Sequence, residues 1–334
     1  MHVLLDTRRK HFEQNSYISD LVALSAEVHF HGFSWTRLIV GRYDVFHVHW
    51  PEWLVKHGRP YLQPVMKILM SLALVRLRLS KVPVLRTMHN LAPHSELSPW
   101  GASLIGRLED LTTSRIWLSD AGDRMQATDV VVPHPDYQPW AGRLNLSWNP
   151  APHSRRGLCF GSLVPYRRFE IVAEAARLVP GGKLKIAGAA TDRRYTDKLE
   201  RIASRSEGRV SVGRGRLSEE DLARAIHDSD VIFVPYTDLY NSGIIFLALT
   251  LQRPVALPAS PAAEVLAAEY GSEWVRQWVG ELNDEKLIAI YDRPFPSAPA
   301  FSAKRRWESI VQGHREMYAK LSTRERSSRR HRHR

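Results

Sequence analysis

Short runs rich in Val, Ile and Leu alternate with stretches of helical periodicity, and the alternation occurs twice along the chain. Apolar runs of this kind form strands buried on both faces, so the pattern predicts parallel sheets covered by helices. In the first half, Met1–Asp6, Val28–Phe33, Asp44–Trp50, Val82–Met88, Arg115–Ser119 and Asp129–Val132 read as strands. Between them, Ser16–Glu27, Pro64–Leu79 and Ser103–Thr113 read as helices. From Pro133 to His153 the periodicity stops and five prolines occur, the signature of a linker. A second alternation follows. Its strands are Gly157–Leu163, Lys183–Ala187, Arg209–Val212, Val231–Val234 and Pro254–Leu257, and its helices include Phe169–Leu178, Tyr195–Arg205, Glu219–Ser229, Gly243–Leu251 and a long Ala303–Leu321. The expectation is α/β, with two similar halves, each a doubly wound parallel sheet with helices on both faces, and a crevice between them. Residues 1–150 would form the first and 151–300 the second, with 301–323 a terminal helix and 324–334 a disordered basic tail.

With 334 residues the chain has room for two domains of ordinary size, about 100–200 residues each. The net charge of +12 includes +5 from the six Arg and one Glu of 324–334, which leaves the body at +7 and calls for an acidic partner. Cys159 is the single cysteine, so an intramolecular disulfide and a cysteine-rich zinc site are excluded. In MHVLLDTRRK the basic residues follow the short apolar stretch, the wrong order for a secretory leader, and no run of about 18 apolar residues exists to span a bilayer. A cytoplasmic protein is expected.

Three sets of residues could carry chemistry. Val231–Tyr236 is a strand followed by a polar loop with Asn241, then Ser242-Gly243 at the start of a helix. Helix N-terminal N–H groups and a partial positive charge make this either a phosphate seat or an ordinary helix cap. After the strand ending at Phe160 come Gly161-Ser162 and, past Pro165-Tyr166, the pair Arg167-Arg168. This is either a diphosphate clamp or a solvated basic turn. In the first half, His47, His49, His89, His94 and His134 follow strands, and 47 and 49 share a strand face. They could orient sugar hydroxyls or exchange protons, or each could be a satisfied core histidine. Their spacing matches no zinc signature. Asp228-Ser229-Asp230 precedes a strand and reads as a helix exit, and Gly213-Arg214-Gly215-Arg216 lacks the rest of a dinucleotide fingerprint. Pro64–Leu79 reads mostly as core, but its basic end, with Lys67, Arg76, Arg78, Lys81 and Arg86, could rest on an anionic membrane.

Taken in order, Asn15-Ser16-Tyr17, Tyr43–Trp50, His89–His94, Phe160–Leu163 with Pro165-Tyr166-Arg167, Leu184–Gly188, Asp230–Tyr236, Ser242-Gly243 and Pro254-Val255 resemble bacterial GT-B-fold glycosyltransferases of the family 4 type. The resemblance implies a metal-independent hexosyltransferase, without cofactor, that takes a sugar from a GDP- or UDP-sugar to a glycan, glycolipid or polysaccharide precursor. It implies a donor site of Gly161, Ser162, Arg167, Arg168, Gly188, Tyr236, Asn241, Ser242 and Gly243, and an acceptor side of Asn15, His49, His89, Asn90 and His134. His94, Glu96 and Arg167 would be catalytic, Glu96 being preferred over Glu52 and Asp120 as base if the reaction inverts the anomeric centre. Many relatives carry two Glu around the Ser-Gly turn, where this chain has Tyr240 and Ala248. That departure leaves a non-catalytic sugar- or nucleotide-binding protein as the alternative. An anionic membrane surface is a further expected partner, and nucleic acid is not expected.

Overall fold

The computed structural model describes residues 1–12, 15–56, 59–89, 97–144, 154–237, 239 and 242–330, the last seven by their backbone alone. Contacts divide the chain into two compact units, Met1–Pro135 with Lys304–Arg334, and Asp136–Ala303.

The first unit holds a six-stranded sheet of β1 (His2–Leu5), β2 (His29–His31), β3 (Val45–Val48), β4 (Val84–Met88), β5 (Thr112–Trp117) and β6 (Val130–Val131), in the order β2-β1-β3-β4-β5-β6. Every pairing is parallel. β3 is buried at all four positions, as expected of a strand covered on both faces. One face packs on helix Ser16–Leu24 and the terminal helix, through Tyr17, Ile18, Leu21, Trp307, Ile310, Met317, Tyr318 and Leu321. The other packs on helices Trp35–Val40, Glu52–Val55, Gln63–Ser80 and Pro99–Leu111.

The second unit repeats the plan with β7 (Arg156–Phe160), β8 (Lys183–Ala187), β9 (Val210–Gly213), β10 (Val231–Phe233), β11 (Val255–Pro258) and β12 (Val275–Trp278), all parallel, in the order β12-β11-β10-β7-β8-β9. β12 and the helices Pro261–Tyr270 and Asp284–Tyr291 lie in a stretch where sequence patterning predicts no elements. The edge strand β12 carries Arg276 inside it, which hides its apolar signature. That guanidinium is buried and donates to the carbonyls of Ile290 at 2.7 Å and Pro294 at 2.9 Å.

Two boundaries differ from expectation. The second unit begins at Asp136 rather than near 151, because Trp140 and Ala141 of the helix Gln138–Arg143 bury in its core. The terminal helix runs Trp307–Arg330, so the first part of the basic tail continues it instead of being disordered. The rest, 331–334, lies outside the described residues.

Candidate functional site

In an open α/β sheet, ligands bind beyond the carboxyl ends of the strands where the strand order reverses. In the second unit that point lies between β7 and β10, which are neighbours although far apart in sequence. Gly161 follows β7 with φ 116°, a conformation that suits glycine, and a Cβ there would come within 3.0 Å of the Arg167 guanidinium. Gly188, just after β8, is packed so closely that a Cβ would overlap the Gly161 carbonyl oxygen. The two glycines let the chain ends close up and bring Arg167 inward.

Arg167 ends a short 3-10 turn, Pro165–Arg167. Its guanidinium lies over the rings of Tyr166 at 5.5 Å and Tyr236 at 5.4 Å, and donates to the Tyr236 hydroxyl at 3.2 Å. Tyr236 follows β10, and its hydroxyl is 2.8 Å from that of Ser242. Burial pushes the Tyr236 phenol pKa up, so it stays protonated. Ser242 stands at the N-terminus of helix Gly243–Thr250 but its side chain does not cap that helix. The ordinary-cap reading therefore fails. Ser242 spends its hydroxyl on Tyr236, while the Ile245 N–H donates to the Ser242 carbonyl at 3.0 Å, and the partial positive charge of the helix start stays beside that hydroxyl pair. Arg167 Nε is also buried without a hydrogen-bond partner.

Gly161, Arg167, Gly188, Tyr236, Ser242 and Gly243 are thus drawn to one spot. Ser162 is half-buried beside them. Arg168 is exposed, in a left-handed conformation (φ 52°), and is not bonded to the group. Asn241 and Tyr240 lie outside the described residues. Ala248 is fully buried within the apolar helix Gly243–Thr250, so that position faces the core.

The corresponding reversal in the first unit lies between β1 and β3. Asp6, just past β1, is buried and its Oδ2 accepts from the backbone N–H groups of His49 at 2.9 Å and Trp50 at 2.7 Å. Burial outweighs those bonds and pushes its pKa up to about 6. His47 is held at both ring nitrogens, by the hydroxyls of Tyr318 and Thr87 at 2.7 Å each. This is the satisfied core histidine. His49 Nδ1 is 2.9 Å from His89 Nε2, while its own Nε2 is buried without a partner. The Tyr17 ring makes T-shaped contacts with those of His49, His89, His134 and His314. His314 Nδ1 lies 2.8 Å from the Ile310 carbonyl, which can only accept, so Nδ1 carries the proton. Nε2 of His314 then accepts from the Tyr17 hydroxyl at 3.2 Å. Burial holds the pKa of His47 and His49 well below the ordinary value and lowers those of His134 and His314 to about 4.

His49, His89 and His134 therefore do come together. Asn15 does not join them: its side chain accepts from the Ile18 N–H at 3.2 Å and caps helix Ser16–Leu24. Asn90, His94 and Glu96 lie outside the described residues. Glu52 sits in the first turn of helix Glu52–Val55, and Asp120 accepts from the Gly122 N–H in a local turn. Sequence reading missed Asp6, His314 and Tyr318. The last two had a signal, a His and a Tyr four apart on one face of an otherwise charged helix. Among the described residues no group of His, Cys, Asp and Glu is arranged to hold a metal ion.

No protein-family profile matches the chain. It is 32% identical over 330 residues to the GDP-mannose:glycolipid 4-beta-D-mannosyltransferase of Xanthomonas campestris pv. campestris, covering 95% of this chain and 91% of that protein. Its fold is similar to that of a glycosyltransferase from Rickettsia africae ESF-5, with TM-score 0.61 and 11% identity over 96% of this chain and 98% of that one. It is also similar to AviGT4, a glycosyltransferase involved in avilamycin A biosynthesis, with TM-score 0.58 and 13% identity over 97% and 98% of the two chains. The two parallel six-stranded units are the GT-B fold.

Proposed function

The chain belongs to the glycosyltransferase family of the GDP-mannose:glycolipid 4-beta-D-mannosyltransferases, and from that premise we propose that it transfers mannose from GDP-mannose to a glycolipid. It is an enzyme that moves a sugar from a nucleotide-diphosphate donor. The observation that carries the proposed donor and acceptor is the 32% identity sustained over 95% of the chain.

The site chemistry supports this reading. As the sugar leaves, charge builds on the donor diphosphate, and groups aimed at that charge lower the barrier. Arg167 supplies a fixed positive charge beside the uncapped N-terminus of helix Gly243–Thr250. Tyr236, itself bonded to Ser242, accepts from Arg167 and helps hold it in place. These groups do the work a divalent cation would otherwise do, so the proposed reaction needs no metal and should survive EDTA. A β-linkage made from an α-linked sugar nucleotide requires a single inverting displacement, with a base to take the acceptor proton. His94 and Glu96, in the segment that follows β4, are the proposed groups, with Glu96 as the base. The cluster of His49, His89 and Tyr17 offers hydrogen-bonding groups on the acceptor side.

The test is a transfer assay with purified enzyme, a panel of GDP- and UDP-sugars and glycolipids of defined terminal sugar. GDP-mannose with a glycolipid should give a β-mannosylated product. Faster transfer from a UDP-sugar, or from GDP-mannose only to a lipid-free acceptor, would overturn the proposal.

A further inference from the structure

Helix Gln63–Ser80 has two apolar faces, and the fold uses only one. Met70, Ala73, Leu74 and Leu77 are buried against the sheet and its neighbouring helices. Val65, Ile68, Leu72, Val75 and Leu79 point the other way, each between 45% and 76% exposed. At 3.6 residues per turn these five fall within an arc of about 80°, so they form one straight stripe along the helix. Helices Glu52–Val55 and Pro99–Leu111 pack beside it and contribute exposed Trp53 and Trp100, and Tyr61 is exposed just before the helix. Scattered apolar surface residues are ordinary, but a continuous stripe edged by aromatic rings marks a contact surface.

Charge identifies the occupant. Residues 53–95 contain no Asp or Glu and seven Lys or Arg. Lys67 and Arg76 lie on the two flanks of the stripe, and Lys67 Nζ sits 5.2 Å above the Trp100 ring. Arg78 and Lys81 are exposed at the C-terminal end, and Arg107 is exposed one heptad on from Trp100. A second copy laid on this face would bring rows of like charge together. An anionic bilayer would take the apolar stripe among its acyl chains, the Trp and Tyr rings at the headgroup level and the cations against the phosphates. The helix is not long and apolar enough to cross a membrane.

We propose that this stripe is a membrane-binding face that lays the first unit on an anionic lipid surface, a partner that rests on the reading that the acceptor is a glycolipid. Binding should be measured by sedimentation with phosphatidylcholine vesicles, with and without 30% phosphatidylglycerol. The wild-type enzyme should pellet with the anionic vesicles. Leu72→Ser/Val75→Ser should lower partition about tenfold, and Arg78→Gln or Lys81→Gln about fivefold each. These side chains are exposed, so the thermal midpoint of each variant should stay at the wild-type value. Wild-type protein that stays in the supernatant, or a stripe variant that pellets like wild type, overturns the proposal. So does light scattering that finds a wild-type dimer which the stripe variant loses without any vesicle binding, since the face would then join two copies. The proposal fails separately from the assigned reaction. Transfer to a detergent-solubilised glycolipid without vesicle binding sinks the membrane face alone, and vesicle binding without transfer from GDP-mannose sinks the reaction alone.

Discussion

An arginine held between two phenol rings keeps its charge but loses its freedom, and Arg167 is such a residue. Lys could supply the charge at this position, but not a planar fork that stacks and donates at once. Arg167→Ala should lower kcat/KM by about 10- to 1000-fold, with Arg167→Lys between it and wild type, as steady-state kinetics with GDP-mannose would measure. The buried histidines lead to a second prediction. His47, His49, His134 and His314 all have pKa values lowered by burial, so between about pH 4 and 6.5 the unfolded chain binds more protons than the folded one. Stability therefore falls as pH drops below 6.5. Asp6, raised to about 6, acts the other way, because its folded form takes a proton first. Four groups outweigh one, and each of His134 and His314 should cost on the order of 2 kcal/mol between pH 6.5 and 5. Urea unfolding across pH 5–8 should show this slope, and His314→Gln should flatten it.

At the scale of elements, the strand pattern was legible because parallel strands are apolar on both faces, and β8 appears at Lys183–Ala187 as expected. The same physics hid β12, whose buried Arg276 finds its partners among carbonyls remote in sequence. Tight joints were equally invisible. Nothing in Ile186-Ala187-Gly188 announces that Gly188 packs on the Gly161 carbonyl. Gly188→Ala must push β7 and β8 apart at their carboxyl ends, and should destabilise the protein by about 3 kcal/mol. Thermal melts would read this as a lowered midpoint. Weakened donor binding should accompany it, since Gly161 carries the turn that Arg167 packs against.

The whole molecule divides its positive charge among different tasks. Arg253 and Arg276 are buried, their pKa values lowered to about 10, and they tie down backbone carbonyls. Arg155 pairs with Asp292 at 2.7 Å, and Arg86 and Arg115 with Glu109. These cations are structural, so the sequence-level surplus overstates what is free to meet an acidic ligand. Arg167, held half-buried, is aimed by the fold of the second unit at its switch point. A ligand that binds only the folded state raises stability by about 2.7 kcal/mol at a hundredfold excess over its Kd. GDP should therefore raise the thermal midpoint more than UDP, and Arg167→Ala should abolish the shift, as differential scanning fluorimetry would report.

The sequence by itself determined the class of fold, the number of units and the nearness to strand ends of the residues proposed to hold the donor, because periodicity and turn chemistry are local properties. It also carried the departure at Tyr240 and Ala248, though not its meaning. Tertiary structure decided which histidines are fastened into the core, that Ser242 leaves its helix uncapped, and that Asn15 is a cap. It also decided that one face of helix Gln63–Ser80 stays bare. Each of those depends on which neighbour reaches a side chain first, and the neighbours come from strands and helices tens to hundreds of residues away.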